Sequence, residues 1–99
     1  MPREQVDLKF RIFLLTLLDG RELSFSQIRG SIARDYTEKK YPRGELNQML
    51  VNLHASGLIV RRKLKKEERE DQGRHSYTIA DRGRERKKYY QGQLEKLES

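Results

Sequence analysis

Apolar positions along the chain fall into four helical patterns and three short extended ones, separated by glycines and charged turns. In residues 42–56, Leu46, Met49, Leu50 and Leu53 recur at i, i+3, i+4 and i+7, so one face of a helix is apolar and needs burial. Pro42 suits the first helical turn, where its missing N–H has no partner to lose, and Gly57 suits the left-handed position that ends a helix. Residues 6–18 carry two stripes. Val6, Phe10, Phe13, Leu14 and Leu17 form one, and Leu8, Ile12 and Leu15 form another about a third of a turn or more away. One stripe suffices for a surface helix, so the second predicts burial against a terminal helix or a partner subunit.

Asp19-Gly20 ends the first helix, and residues 22–25 predict a short strand. Ser26 is placed as the N-cap of a helix over 27–36, with Phe25 stapling its entry and Ile28, Ile32 and Tyr36 on its buried side. Gly30 and Ala33 are read as sites of close packing. Residues 58–66 and 74–79 predict two antiparallel strands, with Tyr77 and Ile79 pointing inward and Leu64 on the same layer. The last helix, over 80–97 with Thr78 or Asp81 as cap, has a thin seam of Gly83, Lys87, Tyr90, Leu94 and Leu97 at spacings of four, three, four and three. Alone in water such a helix is marginal, so its seam needs a partner.

The face of the 42–56 helix opposite its apolar stripe carries Gly44, Gln48, Val51 and Ala55, flanked by Asn47 and Asn52, with Glu45 at the margin. A solvated face is ordinarily studded with Lys and Glu. Short side chains and amides instead suit a helix that approaches base edges in a DNA major groove. The stretch YPRGELNQMLVNLHASGLIVRRKLKK, with helix, Gly-Leu-Ile and basic strand in that order, followed by a polar tip and a second strand, resembles a winged helix-turn-helix regulator of the PadR-like and MarR-like repressors. The match covers nearly the whole chain. It implies a mainly α fold with a small antiparallel β-wing (α+β) and an extra C-terminal helix. Residues 1–80 would form the DNA-binding domain and 81–99 a dimerisation element.

From that reading, Arg43, Gly44, Asn47, Gln48, Val51 and Asn52 are the candidates for base contacts. Lys39, Lys40 and Tyr41, at the start of the helix, and Arg62, Lys63, Lys65, Lys66 and Arg74, on the wing stem, are candidates for phosphate. The segment 67–73 holds four acids, Glu67, Glu68, Glu70 and Asp71, against one base, Arg69. A tip that enters a minor groove normally presents Arg or Lys, so these acids depart from the pattern. In the resembled families a terminal helix of this kind makes the dimer, and Leu8, Ile12, Leu15, Tyr90, Leu94 and Leu97 are its candidates here.

Composition narrows the alternatives. The 99 residues are enough for one modest core, and only 34% of them are apolar while 37% are charged. A net charge of +7 favours an anionic partner. Without cysteine there is neither a disulfide nor thiolate chemistry, and two histidines with no acid at ligand spacing offer no metal site. No catalytic constellation, cofactor site or effector pocket is visible. The longest apolar run, 12–15, is far too short for a membrane span, which points to a soluble cytoplasmic protein. The expected activity is sequence-specific binding of duplex DNA by a homodimeric, repressor-type transcription regulator. A winged helix used for protein contacts in a larger assembly is the rival reading. Single-stranded or RNA binding is a third, for which exposed aromatics are too few.

Overall fold

Stripes from three helices and one face of a small sheet converge on a single core in the computed structural model, which describes residues 3–37, 40–69 and 73–99. The elements in order are α1 (Arg3–Leu17), β1 (Leu23–Ser24), α2 (Phe25–Asp35), α3 (Arg43–Ala55), β2 (Ile59–Lys63), α4 (Lys66–Arg69), β3 (His75–Ile79) and α5 (Asp81–Glu98). The sheet order is β1-β3-β2, antiparallel throughout, with Leu23 opposite Tyr77 and Ile59 opposite Ile79. This is the mainly α arrangement with a small β-wing that the periodicity implies.

Phe10, Leu14, Leu15 and Leu18 from the first helical segment meet Ile28 of α2 and Leu46 and Leu50 of α3, all fully buried. Leu58, Ile59, Tyr77 and Ile79 close the core from the sheet side. At about 1.5–3 kcal/mol for each fully buried large side chain, this one cluster is the main source of stability. Leu15 therefore lies in the centre of the domain with no exposed surface. This corrects its assignment to a dimer seam, because a side chain buried within its own chain has nothing left to offer a partner.

The second helix starts two residues earlier than the pattern around Ser26 implies. Ser24 is its N-cap: its Oγ accepts the Gln27 N–H at 3.2 Å, and the Gln27 side-chain oxygen accepts the Ser24 N–H at 2.9 Å. That reciprocal box needs Gln three residues after Ser, a spacing Ser26 lacks. β1 is shortened accordingly, and Phe25 is the first helical residue rather than a staple ahead of the cap. Gly30 and Ala33 face solvent, and a Cβ on Gly30 would meet nothing within 4 Å, so neither marks close packing.

α3 ends as its glycine predicts. Gly57 has φ +75°, its N–H donates to the His54 carbonyl at 3.0 Å, and the Leu58 N–H donates to the Leu53 carbonyl at 2.9 Å. These two bonds are the Schellman pair, and they turn the chain directly into β2. The ladder extends to Leu64, whose N–H donates to the Arg74 carbonyl at 2.8 Å. Beyond Ile59 the strand is exposed at every residue through Lys63, so β2 forms the open edge of the wing while β3, the central strand, packs on the core. The extended run expected through residue 66 stops short, and Lys66–Arg69 forms a single helical turn.

α5 leaves the sheet at Ala80, whose N–H donates to the Leu58 carbonyl at 3.0 Å; neither Thr78 nor Asp81 acts as its N-cap. It then packs along α1, where Leu8 shares a groove with Tyr90 and Leu97, and Arg11 lies 5.6 Å over the Tyr90 ring. Gly83 is the residue of closest approach. A Cβ there would overlap the Leu58 carbonyl oxygen and stand 2.8 Å from Cγ1 of Ile79. Because the obstacle is backbone, Gly83→Ala should destabilise the fold by about 1–3 kcal/mol despite alanine's better helix propensity. Urea denaturation of the two proteins checks this, and Gly92→Ala, where a Cβ meets nothing within 4 Å, is the control expected to be neutral or stabilising.

Candidate nucleic-acid interface

Burial of Leu46, Leu50 and Leu53 fixes the rotation of α3, so its opposite face is set as well. Gly44, Asn47, Gln48, Val51, Asn52, His54 and Ala55 are all exposed, Val51 to 39%. The two margins of this face differ in charge.

On one margin the first turns of α2 and α3 meet the base of β3 around a cleft of about 280 Å³. Phe25, Ser26, Arg29, Arg43, Asn47, Gly73, Arg74, His75 and Tyr77 line it, without a carboxylate among them. The Arg43 guanidinium sits 5.4 Å over the Phe25 ring, which restrains a long side chain near the start of α3. Arg29 is not among the residues that sequence singles out. It joins the cleft because Ile28 and Ile32 point into the core and leave it on the open side of α2, a signal that the register of those isoleucines carries. On the other margin, Asp7 of α1 and Glu45 of α3 line a shallow depression with Gln48, Met49 and Asn52. Gln48 and Asn52 are joined, with the Gln48 side-chain N–H donating to the Asn52 side-chain oxygen at 3.0 Å.

The predicted phosphate contacts divide into four groups. Lys40, Lys63, Lys65, Lys66 and Arg74 are exposed, and Arg74 enters the basic cleft. Tyr41 is corrected: its ring stacks on Phe10 with centroids 3.6 Å apart and its hydroxyl is buried, so it supports the start of α3 from within. Lys39 lies outside the described residues.

Arg62 is committed inside the wing. Its guanidinium donates to Glu22 ahead of β1, with Nη2 to Oε1 at 2.6 Å, and to Glu68 of α4 at 3.2 Å. Hydrogen bonds from Arg62 hold both carboxyls below their ordinary value, and those same bonds raise the guanidinium further. Glu68 also accepts the Lys65 N–H at 3.1 Å. One of the acids that make the wing tip look unsuited to DNA is thus folded back and neutralised. Glu70 and Asp71 lie outside the described residues.

Among the described residues no group of His, Cys, Asp and Glu could hold a metal ion, and no helix is long and apolar enough to cross a membrane.

No protein-family model matches the chain, and no curated protein matches it. A search of solved structures finds the crystal structure of a PadR family transcription regulator from hypervirulent Clostridium difficile R20291, with a TM-score of 0.70 over 89% of this chain and 88% of that one. The chain shares the fold of this PadR regulator. Sequence identity is 16%, so the likeness to the PadR protein is one of architecture alone. Resemblance to the MarR-like repressors rests on the sequence pattern alone.

The Arg62 latch has a pH signature. Both carboxyls are depressed in the folded protein, so its contribution is fully present at neutral pH and is lost as pH falls below 4.5 through the lowered values. All three side chains are about 40% exposed, so solvent screens the effect. Arg62→Ala should lower the melting temperature slightly at pH 7. The difference from the parent should vanish in acid, as melting curves at a series of pH values would record.

Proposed function

We propose that the chain is a duplex-DNA-binding transcription regulator that acts as a homodimer. α3 lies in the major groove, and the cleft between α2, α3 and the start of β3 grips the adjoining phosphates. The observation that carries this reading is the continuity between the short-chained outer face of α3 and a carboxylate-free cleft holding Arg29, Arg43 and Arg74. Phosphate contacts position a protein on the duplex while base-edge contacts specify sequence, and the two surfaces here divide in that way. That the structurally similar protein is a transcription regulator supports the same reading.

Base contacts come from Arg43, Asn47, Gln48, Val51 and Asn52, with Gly44 allowing close approach of the backbone. Arg43 matches guanine O6 and N7, Asn47 matches adenine N6 and N7, and Val51 can meet a thymine methyl. Joined as they are, Gln48 and Asn52 still present one acceptor and one donor outward. Lys40, Lys63, Lys65 and Lys66 reach flanking phosphates, with Arg29 and Arg74 at the centre. The acidic margin at Asp7 and Glu45 sets the opposite limit of the footprint by repelling the backbone.

Asn47→Ala should cost about 1–3 kcal/mol on a duplex selected from a random pool and relax the preference at one base pair. Equal losses on selected and random DNA would remove Asn47 from the bases. Replacing Arg29 and Arg74 together by Ala should weaken binding to every duplex and lower the salt slope by about one unit for each phosphate no longer neutralised. Titration across salt concentrations measures this, and an unchanged slope would leave the cleft facing solvent.

The dimer rests on α5. Its 18 residues span about 27 Å, and the molecule is elongated, with principal extents of 48 × 27 × 20 Å. Toward the distal end Leu94 is half-buried, while Tyr89 and Leu97 are 54% and 42% exposed. Leu8, Ile12 and Tyr90 are half-buried beside them and complete the candidate seam. A two-fold axis there would present two α3 helices to successive major grooves, about 34 Å apart. Leu94→Glu with Leu97→Glu should give a folded monomer with much weaker DNA binding. Sedimentation of the parent as a monomer at tens of micromolar would sink the dimer.

A further inference from the structure

A second cleft, of about 390 Å³, opens between the C-terminal half of α2 and the start of α3. Ile32, Ala33, Tyr36 and Tyr41 give it apolar walls, while Arg29 and Lys40 bring two cations, and among the described residues no acid lines it. Its aromatic walls are held from behind by α1. Tyr41 stacks on Phe10, and Tyr36 meets Phe10 edge-on at 5.4 Å and Phe13 at 5.0 Å. The cleft is a trough, open to solvent along one side. A chain that lays one side chain into the trough and runs on across its rim matches that shape.

We propose that this trough docks an acidic peptide segment of a partner protein, with one aromatic residue as anchor and carboxylates on either side of it. The tyrosine rings take the anchor's ring, and Arg29 and Lys40 take the flanking carboxylates. Charge complementarity selects the partner: Arg29 and Lys40 are the charged side chains among the described residues that line the trough, so an acidic segment laid in it is attracted and a basic one is repelled. Anchor and acids are both needed, because an anchor alone leaves the cations unused and acids alone leave the apolar walls in water.

Coupling to DNA follows from Arg29, which lines both this trough and the basic cleft beside the start of β3. A carboxylate held by Arg29 draws that guanidinium from a phosphate and adds negative charge beside the duplex. Lys40, among the proposed phosphate contacts, is drawn in the same direction. The docking site stands on its own geometry, and the coupling rests on the DNA-binding reading.

The probe is the synthetic peptide acetyl-EDFDE-amide, titrated into the full chain without DNA and followed by calorimetry and by amide chemical shifts. One site is expected, with a dissociation constant between about 10 µM and 1 mM for so short a ligand. Shifts should centre on Ile32, Ala33, Tyr36 and Lys40. Ala33→Phe, at an exposed position of α2 where the fold should be undisturbed, fills the trough and should abolish binding while leaving the melting curve unchanged. Lys40→Gln should weaken it about threefold. The peptides acetyl-EDADE-amide, without the anchor, and acetyl-QNFNQ-amide, without the charge, should each bind at least about fivefold more weakly.

No saturable binding, shifts centred elsewhere, or binding that survives Ala33→Phe would overturn the site. Equal binding of the peptide without the anchor would reduce it to a patch of positive charge. Tighter binding of a small aryl anion such as 2-naphthoate than of the peptide, with shifts at the same residues, would replace peptide docking by a small-molecule site. For the coupling, saturating acetyl-EDFDE-amide should weaken binding of the selected duplex by about threefold or more at fixed salt, and acetyl-EDADE-amide at the same concentration should not. An unchanged affinity would overturn the coupling. If the chain binds no duplex at all, the DNA-binding reading fails, and the titration without DNA still decides the docking site.

Discussion

The backbone at Leu58 is the contact on which the rest of the structure depends. Its N–H completes the end of α3, its carbonyl receives the Ala80 N–H at the start of α5, and Gly83 packs onto that same carbonyl. Three elements thus meet within van der Waals distance of one peptide unit. Nearby, the Leu18 carbonyl at the end of the first helical segment accepts from the Ile79 N–H at 3.0 Å and from the Thr78 hydroxyl at 3.2 Å. Ordinary side chains could not replace Gly57, with its positive φ, or Gly83, with its close approach, without moving the elements they join. The orientation of α3 relative to the wing is set here, well away from the surface it serves.

Electrostatics on the outer surface follows from that orientation. Turning the leucines of α3 inward leaves its amides outward and sorts the charges around them, with Arg29, Arg43 and Arg74 to one side and Asp7 and Glu45 to the other. Arg74 comes from just before β3, at the distal end of the hairpin. Arg62 satisfies Glu22 and Glu68 at once, which ties the hairpin to the residues before β1 and removes one positive charge from the stem. Arg84 does the same on the opposite side, joining Asp19 after α1 at 3.0 Å to Asp81 at the start of α5. Exposed pairs of this kind contribute little to stability, and their value here lies in fixing the angles between elements.

α5 shows how a thin seam becomes stable. Its apolar content is too low for an isolated helix, yet packing on α1 and the cation–π contact between Arg11 and Tyr90, midway along it, hold it in place. Leu97 near its end stays exposed, as does Tyr89, which meets Tyr90 edge-on at 6.1 Å and carries Arg86 5.2 Å over its ring. A small domain that is 37% charged has few ways to gain apolar burial.

Much of the architecture was legible because it depends on local rules. The leucine spacing of 46–53, the glycine at 57 and the alternation around Tyr77 and Ile79 each specify an element from its own residues. The capping box at Ser24 and Gln27 was also written there, but Ser26 offered a second hydroxyl two residues on, and only the reciprocal bond to Gln27 separates them. What the sequence determined by itself was therefore the order of the four long helices and three strands, though not the helical turn at Lys66–Arg69, and the apolar face that α3 buries. Tertiary structure alone decided that Leu15 is core, that Tyr41 supports α3 from beneath, that Arg62 is tied to Glu22 forty residues away and that Arg29 joins Arg43 and Arg74. Those four outcomes depend on distances between elements remote in sequence, and spacing along a chain carries no information about such distances until the core has packed.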